Sequence, residues 1–185
     1  MKIVLTVTPI EKIPSQCTIC FLPEDMRPLK GAVGRVDWAL NGLVSRLIGT
    51  GKVSGRFLES VLIRPGRYIA GEKLLLFGIG PYEACDAERV VQAGKRLIHV
   101  LGGLHVTDIS LAPPTPGKGP APVDFAEFLT KGFLADGEDK GMRNFLEEVN
   151  FAVSCVAEKI DEILLGIQKA KVDYKRHFSV IVLEE

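Results

Sequence analysis

Short apolar runs precede a longer segment of helical periodicity in the first part of the chain. Lys2–Thr8 and Cys17–Leu22 are apolar and β-rich, and prolines bound both runs, which predicts two strands. From Val36 onward, apolar residues recur at spacings of three and four, which predicts a helix with one apolar face. Gly49-Thr50-Gly51 is predicted to end this helix, and Trp38 is expected to lie in the core. The apolar positions of the helix are Val36, Leu40, Leu43, Val44, Leu47 and Ile48.

Strands and a second helix are predicted in the middle of the chain. Ser60–Arg64 has the composition of a strand, and Lys73–Gly78 is apolar almost throughout, which is typical of a central strand covered on both faces. Asp86 is predicted to cap the following helix, because its side chain can accept a hydrogen bond from the first turn. His105–Leu111 is predicted to be the next strand.

Two further elements complete the alternation. Asp124 and Glu127 form a D-x-x-E pattern similar to a capping box, which predicts the start of another helix, and Phe178–Leu183 is predicted to be the last strand. Hydrophobic residues make up 46% of the 185 positions, enough for a full core. The alternation predicts the α/β class, with a sheet between helices in a single domain spanning residues 1–185.

The longest apolar stripe lies at 139–170 and predicts an added helix. Between Met142 and Lys169 such a helix would extend for about 40 Å, longer than a small sheet can cover. We therefore expect a second copy of the chain to cover it, most simply in a dimer. Two shorter helices, broken near Ser154-Cys155, are the alternative. The residues expected at this oligomer interface are Phe145, Val149, Val153, Ile160 and Leu164.

Charge and hydropathy narrow the classes of partner. The chain carries 23 Lys and Arg residues and 23 Asp and Glu residues, so its formal net charge is zero. This balance does not favour nucleic acid or an anionic membrane, whereas it permits self-association. No apolar run reaches the length of a membrane-spanning helix, and Met1–Thr8 is too short for a signal peptide, so a cytoplasmic location is expected.

Cys17 and Cys20 form a CxxC pattern within a predicted strand. Positions three apart on a strand point to opposite faces, whereas a redox CxxC needs both thiols near a helix amino terminus. A structural zinc site would need two more ligands nearby, and the sequence has no second CxxC. Buried structural thiols are therefore predicted.

Four segments resemble the amino-terminal domain of the leucyl aminopeptidase family. Asp37–Ile48 is similar to that family's first helix, and Gly51–Gly55 is similar to the glycine-marked segment that follows. Lys73–Gly80 is similar to a strand that ends in GxG, and Asp124–Leu134 is similar to a later helix. The order and spacing of these segments, across residues 17–134, carry the resemblance.

The resemblance implies a macro-domain-like fold of three layers, with a mixed sheet between helices and an addition at 139–170. The family's catalytic chemistry lies in a larger carboxy-terminal domain, where Lys, Asp and Glu hold two metal ions, some of them in an NTDAEGR motif. No such motif occurs in this sequence, so peptidase activity, a metal ion and a cofactor are not expected of it. His99, His105 and His177 also lack partners at metal-ligand spacing.

Gly78 and Gly80 are the first candidate ligand-binding residues. They stand between a predicted strand and a predicted helix, where backbone N–H groups can cradle a phosphate. A tight turn alone would also require glycine at such positions.

A second candidate site is a loop predicted at 30–34 and the residues just after it. Macro domains that bind ADP-ribose have a glycine-rich loop at a similar place, and Arg35 could pair with a phosphate there. A surface loop with an arginine is the alternative. This loop has fewer glycines than theirs, so we expect ADP-ribose to bind weakly. The candidate residues are Gly31, Gly34, Arg35 and Asp37.

Three functions follow from these patterns. The leading prediction is a non-catalytic binding or assembly module that self-associates. The alternative is a macro-domain-type binder of a nucleotide or an ADP-ribose-like, phosphate-bearing ligand. An enzyme is the third, and no catalytic constellation in the sequence supports it.

Overall fold

The chain alternates strands and helices throughout the computed structural model, which describes residues 1–114, 119–136, 139–173 and 179–182. The strands are β1 (Lys2–Thr6), β2 (Cys17–Pro23), β3 (Ser60–Ile63), β4 (Leu74–Gly80), β5 (Asp108–Ala112), β6 (Asn150–Ser154) and β7 (Ser179–Val182). The helices are α1 (Gly31–Ala39), α2 (Leu43–Gly49), α3 (Ala87–Gly103), α4 (Pro122–Leu134), α5 (Lys140–Glu148) and α6 (Ile160–Asp173). Phe178 and Leu183, at the ends of the last predicted strand, lie outside the described residues, as does His177.

The strands form one mixed sheet in the order β3-β4-β2-β5-β6-β1-β7. Among the described strands, β3 alone pairs antiparallel, with β4, and the other pairs are parallel. β2 and β4 are buried along their whole length, as expected of apolar strands covered on both faces. The predicted α/β class, with a mixed sheet between helices, is confirmed.

Two helical layers cover the sheet. Residues of α3, α4, α5 and α6 pack with one face of the sheet in a large hydrophobic cluster, and α1 and α2 pack on the other face. The alternation along β2 divides its side chains between the layers: Phe21 belongs to the first cluster and Leu22 to the second. Within the part of the chain that the structure describes, no helix is long and apolar enough to cross a membrane.

The first predicted helix is in fact two helices. α1 already begins at Gly31, within the predicted loop, and the chain turns at Asn41 and Gly42, whose φ angles are 54° and 75°. Both residue types adopt left-handed conformations more readily than others, so the local sequence permits the break. Trp38, predicted to lie in the core, is 87% exposed. The prediction was wrong because Trp38 occupies the outer face of α1, whereas Val33 and Val36 face the sheet.

The long helix predicted at 139–170 does not exist. α5 ends at Glu148, β6 follows, and α6 begins at Ile160. β6 lies inside the sheet between β5 and β1, so Val149 and Val153 are buried in the chain's own core. Ile160 is also buried, while Phe145 and Leu164 are partly buried and pack against the same cluster. The apolar stripe therefore needs no second copy to cover it.

Helix starts were predicted with mixed success. The Asp86 carboxylate accepts a hydrogen bond of 2.9 Å from the Arg89 backbone N–H, so it caps α3 as predicted. α4, however, begins at Pro122, ahead of the D-x-x-E pattern, and Ala121 at its N-cap makes no side-chain hydrogen bond. Proline suits this first position because its ring presets the helical φ and it lacks an N–H that would stay unpaired.

Glycines set the spacing of α3, α4 and α6. A Cβ atom at Gly94 of α3 would lie 2.4 Å from the Leu129 carbonyl oxygen of α4. A Cβ at Gly132 of α4 would lie 2.3 Å from the Val91 oxygen, and one at Gly166 of α6 would lie 2.2 Å from the Val123 oxygen. Both neighbouring helices thus approach α4 closely enough to exclude any side chain at these positions.

We expect Gly132→Val to lower the free energy of unfolding by more than about 2 kcal/mol, because the new side chain would push α3 away from α4. Urea unfolding followed by circular dichroism measures the change. Gly103→Ala is the matched control, because a Cβ at Gly103 meets no atom within 4 Å and alanine favours the helix. Equal stability of the two variants would contradict the packing described here.

Candidate functional site

A cleft of about 590 Å³ opens at the carboxyl ends of β1, β5 and β6. Open parallel sheets commonly bind ligands in this position, outside the carboxyl ends of their strands. The cleft is bounded by the residues after these strands and by the beginnings of three helices. They are Val7 and Pro9 after β1, Ala112–Pro114 at β5, Ser154–Lys159 after β6, Gly31, Ala32 and Arg35 of α1, Pro122 of α4, and Ile163 of α6.

Hydrogen bonds join the ends of β1 and β6 to form one wall of the cleft. The Ser154 hydroxyl donates to the Thr8 carbonyl oxygen at 2.8 Å, and the Cys155 N–H donates to the Thr6 oxygen at 3.0 Å. The Thr6 hydroxyl in turn donates to that of Thr8 at 3.0 Å. These bonds hold the backbone on both sides of the wall, so the cleft is preformed.

Two cations lie at the cleft, and each has an acidic partner. Arg35 Nε lies 3.3 Å from Glu11 Oε2, and its side chain is 47% exposed. Lys159 Nζ lies 2.5 Å from Glu162 Oε1. The first turn of α1 contains no acidic residue, and the leading N–H groups of a helix carry the positive end of its dipole. An anion entering the cleft would therefore be attracted by the amino terminus of α1 rather than by an unpaired side-chain cation.

The structure places two of the four candidates in the α1 segment at the cleft. Gly31 and Arg35 line it, whereas Gly34 and Asp37 line a separate groove on the outer side of α1. The Asp37 carboxylate is buried and accepts hydrogen bonds from the Ser45 N–H at 3.0 Å and from the Ser45 hydroxyl at 2.5 Å. Asp37 thus fastens α1 to α2.

Gly78 and Gly80 serve the packing of β4 against a loop. The Gly78 N–H donates to the Glu59 carbonyl oxygen at 2.7 Å, and the Gly80 N–H donates to the Gly55 oxygen at 2.9 Å. A Cβ at Gly78 would lie 2.0 Å from the Arg56 oxygen, so glycine is needed for this close approach. Both N–H groups are already used, and they cannot cradle a phosphate in this arrangement.

Sequence reasoning missed the segment at 154–159, which contributes the largest share of the cleft. It was assigned to the interior of a long helix, where its backbone would have been hydrogen-bonded along the helix. A signal was present in the sequence, because the apolar residues Phe151 and Val153 stand two positions apart and would share one face of a strand.

The CxxC cysteines are buried on opposite faces of β2. Cys17 belongs to the cluster beneath α3 and Cys20 to the cluster beneath α1. Burial raises the pKa of Cys17 to about 11 and that of Cys20 to about 12, because the low-polarity surroundings disfavour the thiolate. Across the residues that the structure describes, no group of three His, Cys, Asp or Glu side chains is arranged to hold a metal ion.

Comparison with known protein families gives one match. The model described as the cytosol aminopeptidase family, N-terminal domain, matches residues 19–136. Among curated protein sequences the search found no match.

Solved structures share the fold at low sequence identity. A mutant Oceanobacillus iheyensis macrodomain solved with ADPR has a TM-score of 0.68 and 11% identity, with 93% of each chain covered. The macrodomain of Mycobacterium tuberculosis DarG has a TM-score of 0.61 and 11% identity, over 82% of this chain and 96% of that one. A mutant tomato leucine aminopeptidase has a TM-score of 0.65 and 15% identity, over 90% of this chain but 35% of the enzyme. The chain therefore spans about a third of that enzyme's length and has the three-layer fold of a macrodomain.

We expect Cys17 and Cys20 of the native protein to resist modification by a thiol reagent at pH 8. A thiol with a pKa near 11 is ionised in only about one molecule in a thousand at that pH, and both side chains are also shielded. The Cys17→Ala, Cys20→Ala double variant should show the wild-type native reaction profile. In denaturant, the wild type should react at four thiols. Rapid native labelling that the double variant loses would contradict the structural assignment.

Proposed function

We propose a function from the premise that the chain belongs to the cytosol aminopeptidase family, as one of its N-terminal domains: it is a binding module whose cleft takes a small phosphate-bearing ligand. The role assigned to these 185 residues is binding rather than catalysis. It combines the leading prediction, a binding module, with the predicted alternative, a macro-domain-type ligand site.

The position and lining of the cleft carry the proposal. It lies at the carboxyl ends of three neighbouring parallel strands, and its volume falls within the range typical of small-molecule sites. The first turn of α1 and the Lys159 side chain offer positive charge to a phosphate. Solved macrodomains of the same fold carry ADPR and ADP.

Apolar walls favour a nucleotide over a free phosphate ion. Val7, Pro9, Val156 and Ile163 present hydrocarbon surface to the cleft. A base or ribose can bury apolar area against this surface, while the phosphate remains near the helix amino terminus. A free phosphate would obtain only the electrostatic part of this stabilisation.

Binding is expected to be weak. The acidic partners of Arg35 and Lys159 compete with an incoming anion, and Glu158 adds a further negative charge at the rim. The segment from Ser154 to Lys159 contains no glycine, so its side chains limit how closely a phosphate approaches its backbone.

We expect ADP to bind with a dissociation constant of roughly 10 μM to 1 mM. Isothermal titration calorimetry on the whole chain measures it, with inorganic phosphate titrated separately. Lys159→Glu should weaken ADP binding at least about tenfold, because it replaces an attraction by a repulsion. ADP should bind more tightly than phosphate if the apolar walls contribute.

Lys140→Glu is the matched control, because it makes the same charge change on α5, away from the cleft. It should leave ADP binding unchanged. The proposal would be refuted if ADP at millimolar concentration gave no heat of binding. It would also be refuted if Lys159→Glu and Lys140→Glu lowered the affinity for ADP equally. Thermal unfolding of each variant checks that the fold is intact.

Self-association and a cytoplasmic location remain predictions. The exposed apolar side chains of Leu165 and Val172 on α6 give self-association a new candidate surface in place of the buried stripe. Light scattering across a range of concentrations should show a mass above that of one chain, and Leu165→Glu should reduce it. A monomeric mass at high concentration would contradict this prediction.

A further inference from the structure

The zero net charge of the chain conceals a strong separation of charge. Residues 26–71 contain eight Lys or Arg residues and two Asp or Glu residues. The rest of the chain contains 15 Lys or Arg residues and 21 Asp or Glu residues. This basic segment forms α1, α2, β3 and their connecting loops. The net charge of the whole chain therefore does not describe the charge of this segment.

Both acidic residues of the basic segment are taken up by hydrogen bonds within the protein. Asp37 is buried and accepts from Ser45, as described above. The Glu59 carboxylate accepts from the Ser54 N–H at 2.9 Å and from the Gly55 N–H at 2.6 Å. Lys30, Arg46, Lys52 and Arg56 are exposed, so the outer surface of this layer is cationic. Arg35 adds less to it because it pairs with Glu11.

A groove of about 590 Å³ lies in this cationic layer beside Trp38, and we call it the Trp38 groove. Pro28 and Leu29 contribute apolar wall, while Asn41 and Ser45 contribute amide and hydroxyl groups. Arg46 reaches its rim, where the guanidinium donates to the Asn41 carbonyl oxygen at 2.5 Å. Tryptophan is usually well buried, so 87% exposure at a groove indicates a contact surface.

We propose that the Trp38 groove and its cationic surroundings bind single-stranded nucleic acid. Bases stack on exposed aromatic rings while nearby cations meet their phosphates, and here the exposed Trp38 indole has Arg46 at the rim of the same groove. Asn41 and Ser45 can both donate and accept hydrogen bonds, as base edges require. An acidic peptide fits less well, because carboxylate side chains offer no flat ring to stack on the exposed Trp38 indole. An anionic membrane fits less well because the surface is concave, with polar groups inside it.

The single tryptophan of the chain makes the groove directly observable. We expect a thymidine oligonucleotide of about ten nucleotides to quench the tryptophan fluorescence of the whole chain at low salt. The affinity should fall steeply with salt, because bound phosphates release counterions. A fluorescein-labelled oligonucleotide then measures affinity by anisotropy, so that variants without tryptophan can be compared.

Trp38→Ala should weaken binding on the order of tenfold, as expected for the loss of one stacked base. Tyr68→Ala is the matched control, because Tyr68 is an exposed aromatic residue of the same basic segment that does not line the groove. Arg46→Glu should weaken binding and reduce the salt dependence, whereas Lys140→Glu on α5 should change neither. Lys159→Glu in the cleft should also have no effect, which separates this site from the proposed nucleotide cleft.

Four results would overturn the proposal. They are the absence of binding at low salt, equal affinity of Trp38→Ala and wild type, a loss caused by Lys159→Glu, and stronger quenching by a competitor. The competitors are a glutamate-rich peptide of equal charge and vesicles that contain phosphatidylserine. Binding that depends on Trp38 and Arg46 and exceeds that of both competitors supports the proposal.

Discussion

The close approach of α3 and α6 to α4 is the constraint on which the helical layer and the cleft depend. At Gly94, Gly132 and Gly166 a Cβ atom would lie within 2.4 Å of a neighbouring carbonyl oxygen. Because the backbones meet there, the distance between the helices is set by main-chain atoms rather than by flexible side chains. Pro122 at the start of α4 and Ile163 in α6 both line the cleft, so this packing also sets its width.

Two concave surfaces use positive charge in different ways. At the cleft, Arg35 and Lys159 each lie beside a glutamate, so an anion has to compete with an existing ion pair. At the Trp38 groove, the local acid Asp37 is buried and already hydrogen-bonded, which leaves the exposed cations of that layer to determine the surface potential. Position and pairing of charges, rather than their total, distinguish the two surfaces.

The candidate site was predictable only in part. Gly31 and Arg35 line the cleft because α1 begins at Gly31, and helix starts after parallel strands meet at one edge of a sheet. Gly78 and Gly80 showed the same local pattern, yet their N–H groups bond to a loop some twenty residues earlier in the chain. Local spacing cannot show which distant carbonyl will take a backbone donor. The interface predicted for residues 145–164 was wrong for a similar reason. The apolar residues on both sides of β6 follow the three-and-four spacing of a helix, and that spacing does not show that residues 150–154 form a strand inside the sheet.

Local sequence patterns were enough to predict the α/β class, the strands β2 and β4, the cap at Asp86 and the family. Each of these rests on periodicity, composition or motif order within short segments, where local physics dominates. Tertiary structure alone decided that 150–154 joins the sheet, that Trp38 faces outward, and that the residues after β6 complete the cleft. These outcomes depend on which surfaces are buried against one another. The burial of these surfaces is fixed by contacts between residues far apart in the chain, such as the hydrogen bond from the Cys155 N–H to the Thr6 oxygen, and no local pattern encodes such contacts.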